Sequence, residues 1–276
     1  MSDLRLTPIT GAERLVTLHA AELPQKNDLC GAFWGTLALR LAGITGDGEP
    51  IDQDAVGMAA GSVLPATPDD EALPPGEAGR TDYRLSFPTV ADSARSGTSV
   101  DGLVRAIRNL SGDSLAVIPV AGPWSAAALD AVLDAATACT QPCTTIANLS
   151  TRHLWGSRPS PSALIGYLTT GDAALGPAPD WDVGHFVGVL GRIHGPRGTL
   201  VIVADTYRSL GWDGLHVQPG ERMADGLARI HSGRPSGIVL VATAGDAPAL
   251  ERRIGAAGLE IGTWDNGSPD MAATAG

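Results

Sequence analysis

The stretch Gln25-Lys26-Asn27-Asp28-Leu29-Cys30-Gly31-Ala32-Phe33-Trp34 decides how this chain is read. A polar segment gives way to an apolar, periodic one, and a cysteine stands at the junction. Beyond it Phe33, Leu37 and Leu41 recur every four positions, with Trp34 and Ala38 alongside, which is the apolar stripe of a helix. Gly43 is a stop signal, and Asp28 is placed to cap the free amides of the first turn. The pattern predicts a helix over 30–43 with Cys30 in its first turn. The helix dipole there favours a thiolate, the nucleophilic form of a thiol. Taken alone, Cys30 reads first as a small buried core residue, because free cysteine is among the most buried residue types.

Two later segments bear on that choice. Phe186-Val187-Gly188-Val189-Leu190 and Thr199-Leu200-Val201-Ile202-Val203 are short β-branched and aromatic runs, and both predict strands. The Gly/Pro-rich Gly191-Arg192-Ile193-His194-Gly195-Pro196-Arg197-Gly198 between them predicts a turn, so the pair reads as an antiparallel hairpin. His185 opens the first strand and Asp205 follows the second. Antiparallel pairing brings those two ends side by side, as a base and its orienting carboxylate require. Singly, His185 is also a solvated strand-end histidine and Asp205 a turn or cap aspartate. Their conjunction with a helix-start cysteine, in the order Cys–His–Asp, is what points to a thiol nucleophile.

The residues that carry this layout resemble the papain-like cysteine peptidases of bacteria. Within them the nearest likeness is to the bacteriocin leader-peptide peptidases and relatives such as phytochelatin synthase and the butirosin-type acyltransferases. That group reads as a glutamine, a short gap, Cys-Gly-Ala opening a helix, a later His-Phe-Val strand, and a hydrophobic strand ending in Asp. Gln25, Cys30-Gly31-Ala32, His185-Phe186-Val187 and Asp205 occupy those places. Residues 52–61 resemble the short helix that follows the cysteine helix there. The gap from Gln25 to Cys30 is five residues, and Thr206 follows Asp205 where the group often has proline. The resemblance implies an α+β papain-like fold, with a helical lobe carrying the cysteine packed on an antiparallel sheet carrying the histidine and aspartate. It also implies Cys30, His185 and Asp205 as the catalytic set and Gln25 as the oxyanion donor.

The rest of the sequence fits one domain over 1–276, a length that can bury a large core. Further helices are predicted over 11–23, 100–110, 125–138, within 217–230 and over 247–258, and further strands over 115–120, 143–149 and 237–242. Helices come early and strands late, which is an α+β order. Residues 63–99, rich in Pro, Asp, Gly and Ser, read as a long loop insertion. That loop either lines the cleft or is a surface insertion, and 265–276 reads as a flexible tail. The acids of the loop, Asp69, Asp70, Glu71 and Glu77, favour a neutral or cationic substrate.

Composition removes several classes of function. The net charge is −11 with no basic run, so nucleic-acid and anionic-membrane partners are not expected. No stretch approaches the length of an apolar membrane span, and the first residues carry no signal-peptide pattern. Three cysteines, Cys30, Cys139 and Cys143, make no disulfide framework, and a reducing, cytoplasmic setting is the simpler expectation. Cys139 and Cys143 read as structural residues at a helix end and a strand start. His19, His153, His194, His216 and His231 lack ligand spacing, so no metal and no cofactor is expected. Trp181 and Trp34 are candidates for the substrate-binding wall.

These readings lead to a cysteine-dependent acyl hydrolase, a peptidase or amidase, acting on a peptide or a small acylated substrate through an acyl-enzyme. A cysteine acyltransferase or condensing enzyme of a biosynthetic pathway has the same active-site residues. A non-catalytic binding module that keeps the fold is the third reading.

Overall fold

The computed structural model describes residues 4–46, 48–67, 73–231 and 233–271. The chain opens with a short strand, β1 (Arg5–Pro8), and helices α1 (Ala12–Glu22) and α2 (Cys30–Leu41). A small hairpin, β2 (Thr45–Gly46) with β3 (Glu49–Pro50), leads into α3 (Gln53–Ala60). Among its described residues the 63–99 segment holds β4 (Leu64–Pro65), paired in parallel with β5 (Thr89–Val90), and a 3₁₀ turn at Ser93–Arg95. Then come α4 (Val100–Leu110), β6 (Leu115–Ala121), α5 (Ala126–Thr137), β7 (Thr144–Ser150) and α6 (Pro161–Thr170). The long hairpin follows as β8 (Gly184–His194) and β9 (Thr199–Ala204), then β10 (Leu215–Pro219) and α7 (Gly220–Leu227). The chain closes with a small hairpin, β11 (Ile230–His231) with β12 (Arg234–Pro235), then β13 (Gly237–Thr243), α8 (Ala247–Ala256) and β14 (Glu260–Ile261).

Eight strands form one antiparallel sheet in the order β10-β9-β8-β7-β13-β6-β14, with β1 added on β8. The fold is thus α+β with a large antiparallel sheet. Successive side chains of a strand face opposite sides. In β7, β8 and β13 residue after residue is buried, so helices cover the sheet on both faces. Helices α1, α3 and α4 gather around α2, which lies against β8. The contact is close because Gly188 faces Trp34: a Cβ built on Gly188 would come 2.0 Å from the indole ring. A smaller core joins Trp155, Tyr167, Leu168 and Leu200 under α6.

Several local expectations change. Asp28 does not cap α2: it sits at φ 62, takes a hydrogen bond from Ser96, and leaves Leu29 at the cap position with no side-chain cap. Gly43 does stop the helix, at φ 77, the left-handed conformation that favours glycine. The expected eight-residue turn shrinks to 195–198, because β8 runs on through Gly191-Arg192-Ile193-His194. A β-bulge between Val189 and Gly191 lets the strand continue, with Gly191 at φ 143. Arg192, which looks like a turn residue, is neutralised by Asp130 and Asp134 of α5. Part of the expected tail is fastened. Asp270 pairs with Arg105, and Asn266 donates to the Thr98 carbonyl. Residues 272–276 lie outside the described residues.

Candidate active site

The site is assembled where α2 begins and the β8–β9 hairpin ends. Cys30 is the first residue of α2, is half-buried and lines the same cleft as His185, whose charged form it favours. His185 stands near the start of β8 and Asp205 just past β9, both 2 % exposed. His185 Nε2 lies 3.0 Å from Asp205 Oδ1. With Nε2 engaged by the carboxylate, Nδ1 is the ring nitrogen left for the thiol.

Charge fixes the states of this pair. Burial alone would lower the His185 pKa. The adjacent Asp205 charge, the hydrogen bond to it and the contact with Cys30 outweigh burial and raise it to about 10. Burial likewise pushes Asp205 up, but His185 and His216 hold its carboxyl well below the usual carboxylate range. At neutral pH the pair is an imidazolium on a carboxylate.

Asp205 is itself held from several sides. The Thr206 amide donates to Oδ1 at 2.7 Å. His216 Nε2 approaches Oδ2 at 3.5 Å. Gln218 settles which tautomer His216 adopts. The Gln218 Oε1 accepts from the Trp155 amide, so its Nε2 is the donor, and it donates to His216 Nδ1 at 3.0 Å. His216 therefore carries its proton on Nε2 and presents it to Asp205. His19 is buried, and burial lowers its pKa; its Nε2–H donates to the Asp205 backbone carbonyl at 2.5 Å.

Gln25 is buried, at 3 %, and faces the same cleft as Cys30. Its amide is oriented by two neighbours: Thr206 Oγ1 donates to Oε1, and Nε2 donates to the Tyr207 hydroxyl at 2.9 Å. The second N–H of that amide is left for the cleft. Asn27, the other amide of the segment, is paired instead with the Arg80 backbone.

Tyr207 lies parallel to the His185 ring, centroids 6.2 Å apart, and Trp181 meets both rings edge-on. Burial and the charges near Cys30 and Asp28 push the Tyr207 phenol up, so it keeps its proton. Trp181 thus stands at the site as expected from the sequence. Trp34 does not: it is fully buried, stacked on His19 and packed on Gly188, so it is a core residue rather than a substrate wall.

A cavity of about 610 Å³ opens over these groups. Gln25, Cys30, His185 and Tyr207 form its floor, and residues of the 63–99 segment, including Leu64, Pro65, Tyr83 and Ser96, form one wall. Glu77, one of the acids of that segment, accepts from the Ser209 amide; Asp69, Asp70 and Glu71 lie outside the described residues. Cys139 and Cys143 are buried away from the cleft and in contact with each other. No helix among the described residues is long and apolar enough to cross a membrane.

Cys30, His185, Asp205, Gln25 and Trp181, which the sequence singles out, come together here with Tyr207, His216, His19 and Thr206, which it does not. Thr206 and Tyr207 carried a faint signal, since they are the next two residues after Asp205. His19 and His216 carried none, because only sheet pairing and the packing of α1 bring them to Asp205.

A search of the curated proteins returned no match. Residues 9–265 match DUF6885, described as a family of unknown function, and the chain belongs to that family.

Proposed function

We propose that this member of the family is a cysteine-dependent acyl hydrolase, a peptidase or amidase of papain-like type. The observation that carries the reading is the buried His185–Asp205 pair, with Cys30 and His185 together on the floor of an open cavity. An imidazolium held beside a helix-start cysteine favours the thiolate. The thiolate attacks the carbonyl carbon of an amide, and a C–S bond forms as the carbonyl oxygen becomes an oxyanion. The Cys30 amide and Gln25 Nε2 are the donors available to that oxygen. As the C–N bond breaks, His185 gives its proton to the departing amine. Water then attacks the acyl-enzyme and His185 takes up its proton; release of the acid restores the thiolate and imidazolium. Asp205 stabilises the ring in its charged form throughout. Transfer of the acyl group to an amine in place of water uses the same residues.

The test is alkylation by iodoacetamide at mildly acidic pH, read by mass spectrometry. Cys30 is expected to react fast while Cys139 and Cys143 do not. Cys30→Ala is expected to abolish turnover with the fold intact. A Cys30 no more reactive at pH 5 than a free thiol sinks the reading.

A further inference from the structure

Arg229 is the only lysine or arginine among the described residues that line the 610 Å³ cavity. Among the described residues its guanidinium has no hydrogen-bond or ion-pair partner, although Asp182 lines the same rim. Its backbone is anchored beside the cleft. Its backbone carbonyl accepts from the Ser236 amide at the base of the β11–β12 hairpin. Its guanidinium lies on Gly184, where an added Cβ would fall 1.7 Å from Nη1. Gly184 directly precedes His185, so the planar fork of donors lies one residue from the reacting centre. A second cavity, of about 490 Å³, continues past Gly184 and shares Arg229 with the first; Arg152 and His153 line its far side. Among the described residues the Arg152 side chain likewise has no partner.

A guanidinium presents paired N–H groups that match the two oxygens of a carboxylate. Half-buried and making no ion pair with Asp28 or Asp182, which line the same cavity, it is poised for an anion that arrives with the substrate. We propose that the cleft carries an anion subsite on Arg229, with Arg152 behind it, which holds a carboxylate of the substrate while the scissile carbonyl lies at Cys30. The substrate is then an acidic peptide or an acylated amino acid. This replaces the neutral or cationic preference expected from the acids of the 63–99 loop. The inference rests on the proposed acyl chemistry for its meaning, and its test does not depend on that chemistry.

The test is equilibrium binding to the Cys30→Ala protein, followed by NMR titration. The probes are N-acetylglycine, N-acetyl-β-alanine and N-acetyl-γ-aminobutyrate, each against its uncharged carboxamide, so that reach is scanned at constant chemistry. At least one acid is expected to bind about tenfold or more tightly than its amide, as suits a charge-assisted hydrogen bond. That preference should fall toward one in Arg229→Gln and survive in part in Arg229→Lys, which keeps the charge but loses the fork. Gly184→Ala, which displaces the guanidinium without removing it, should also reduce the preference. Acids that bind no better than their amides, or a preference unchanged in Arg229→Gln, would overturn the subsite. An unreactive Cys30 in the alkylation experiment, with the acid preference intact, would overturn the hydrolase reading and leave the subsite standing.

Discussion

At the scale of single residues, the site is a chain of oriented donors rather than three side chains. Gln25 accepts a hydrogen bond from Thr206 and donates one to Tyr207, which together hold its side chain in the cleft. Gln25→Ala is therefore expected to lower the acylation rate by roughly 10²–10³, the loss typical of one oxyanion donor. Tyr207→Phe should lower it less, because it loosens Gln25 without removing it. Equal losses of kcat/KM for both variants would mean that Tyr207 itself is a donor. The charged pair also has a signature in stability. The His185 pKa is raised to about 10, so the stabilisation from its charge is complete below the ordinary value of 6.5. It is lost as pH rises from there through about 10. Asp205 is depressed, so its share is present above the ordinary carboxylate value and lost as pH falls further. Urea midpoints of the wild type and His185→Gln should converge between pH 6.5 and 10; a constant difference over that range would contradict the ion pair. Cys30, His185 and Asp205 were legible because each sits at an element boundary that periodicity marks. His216 was not, since its role depends on β10 pairing with β9, with His216 opposite Val203.

Elements set the tolerances. Helix α2 approaches β8 closely enough that Gly188 has no room for a methyl group beneath Trp34. The Trp34 Nε1 is buried with no partner among the described residues, so the indole is held by shape alone. Gly188→Ala is expected to destabilise the fold by about 1–3 kcal/mol through overpacking. It should also shift α2, and with it Cys30, away from His185. A lower urea midpoint together with slower alkylation of Cys30 is the expected result. A midpoint equal to that of the wild type would show that the contact is slack. The same element level explains where the sequence misled. Gly191 and Arg192 look like turn residues because glycine and charge mark turns. They belong to a strand because the bulge absorbs the glycine, and two acids some sixty positions earlier absorb the charge. Local pattern cannot report a partner that distant. The helix over 30–41 was legible because its partners are its own neighbours at four-residue spacing.

The whole molecule places its catalytic candidates between two structurally different walls. One is the rim of the antiparallel sheet, with Trp181, Gly184 and Arg229; the other is the 63–99 segment, nearly strand-free in its described residues. Periodicity could describe the first and was silent on the second, which is held by side chains instead. Asp54 receives the Leu85 amide, and Lys26 donates to the Asp82 carbonyl at 2.8 Å. Lys26 also pairs with Asp54 at 2.8 Å and is 6 % exposed. It is the only lysine in 276 residues, and that has a practical consequence. The single ε-amine of the chain is locked under the cleft wall, so acylation of Lys26 by an amine-reactive ester acts as a clock for the opening of that wall. Labelling is expected to be slow in the folded protein and to quicken in Asp54→Asn well before global unfolding. A label that appears only with global unfolding would make the wall and the core one cooperative unit, and the entrance to the cleft as durable as the fold itself.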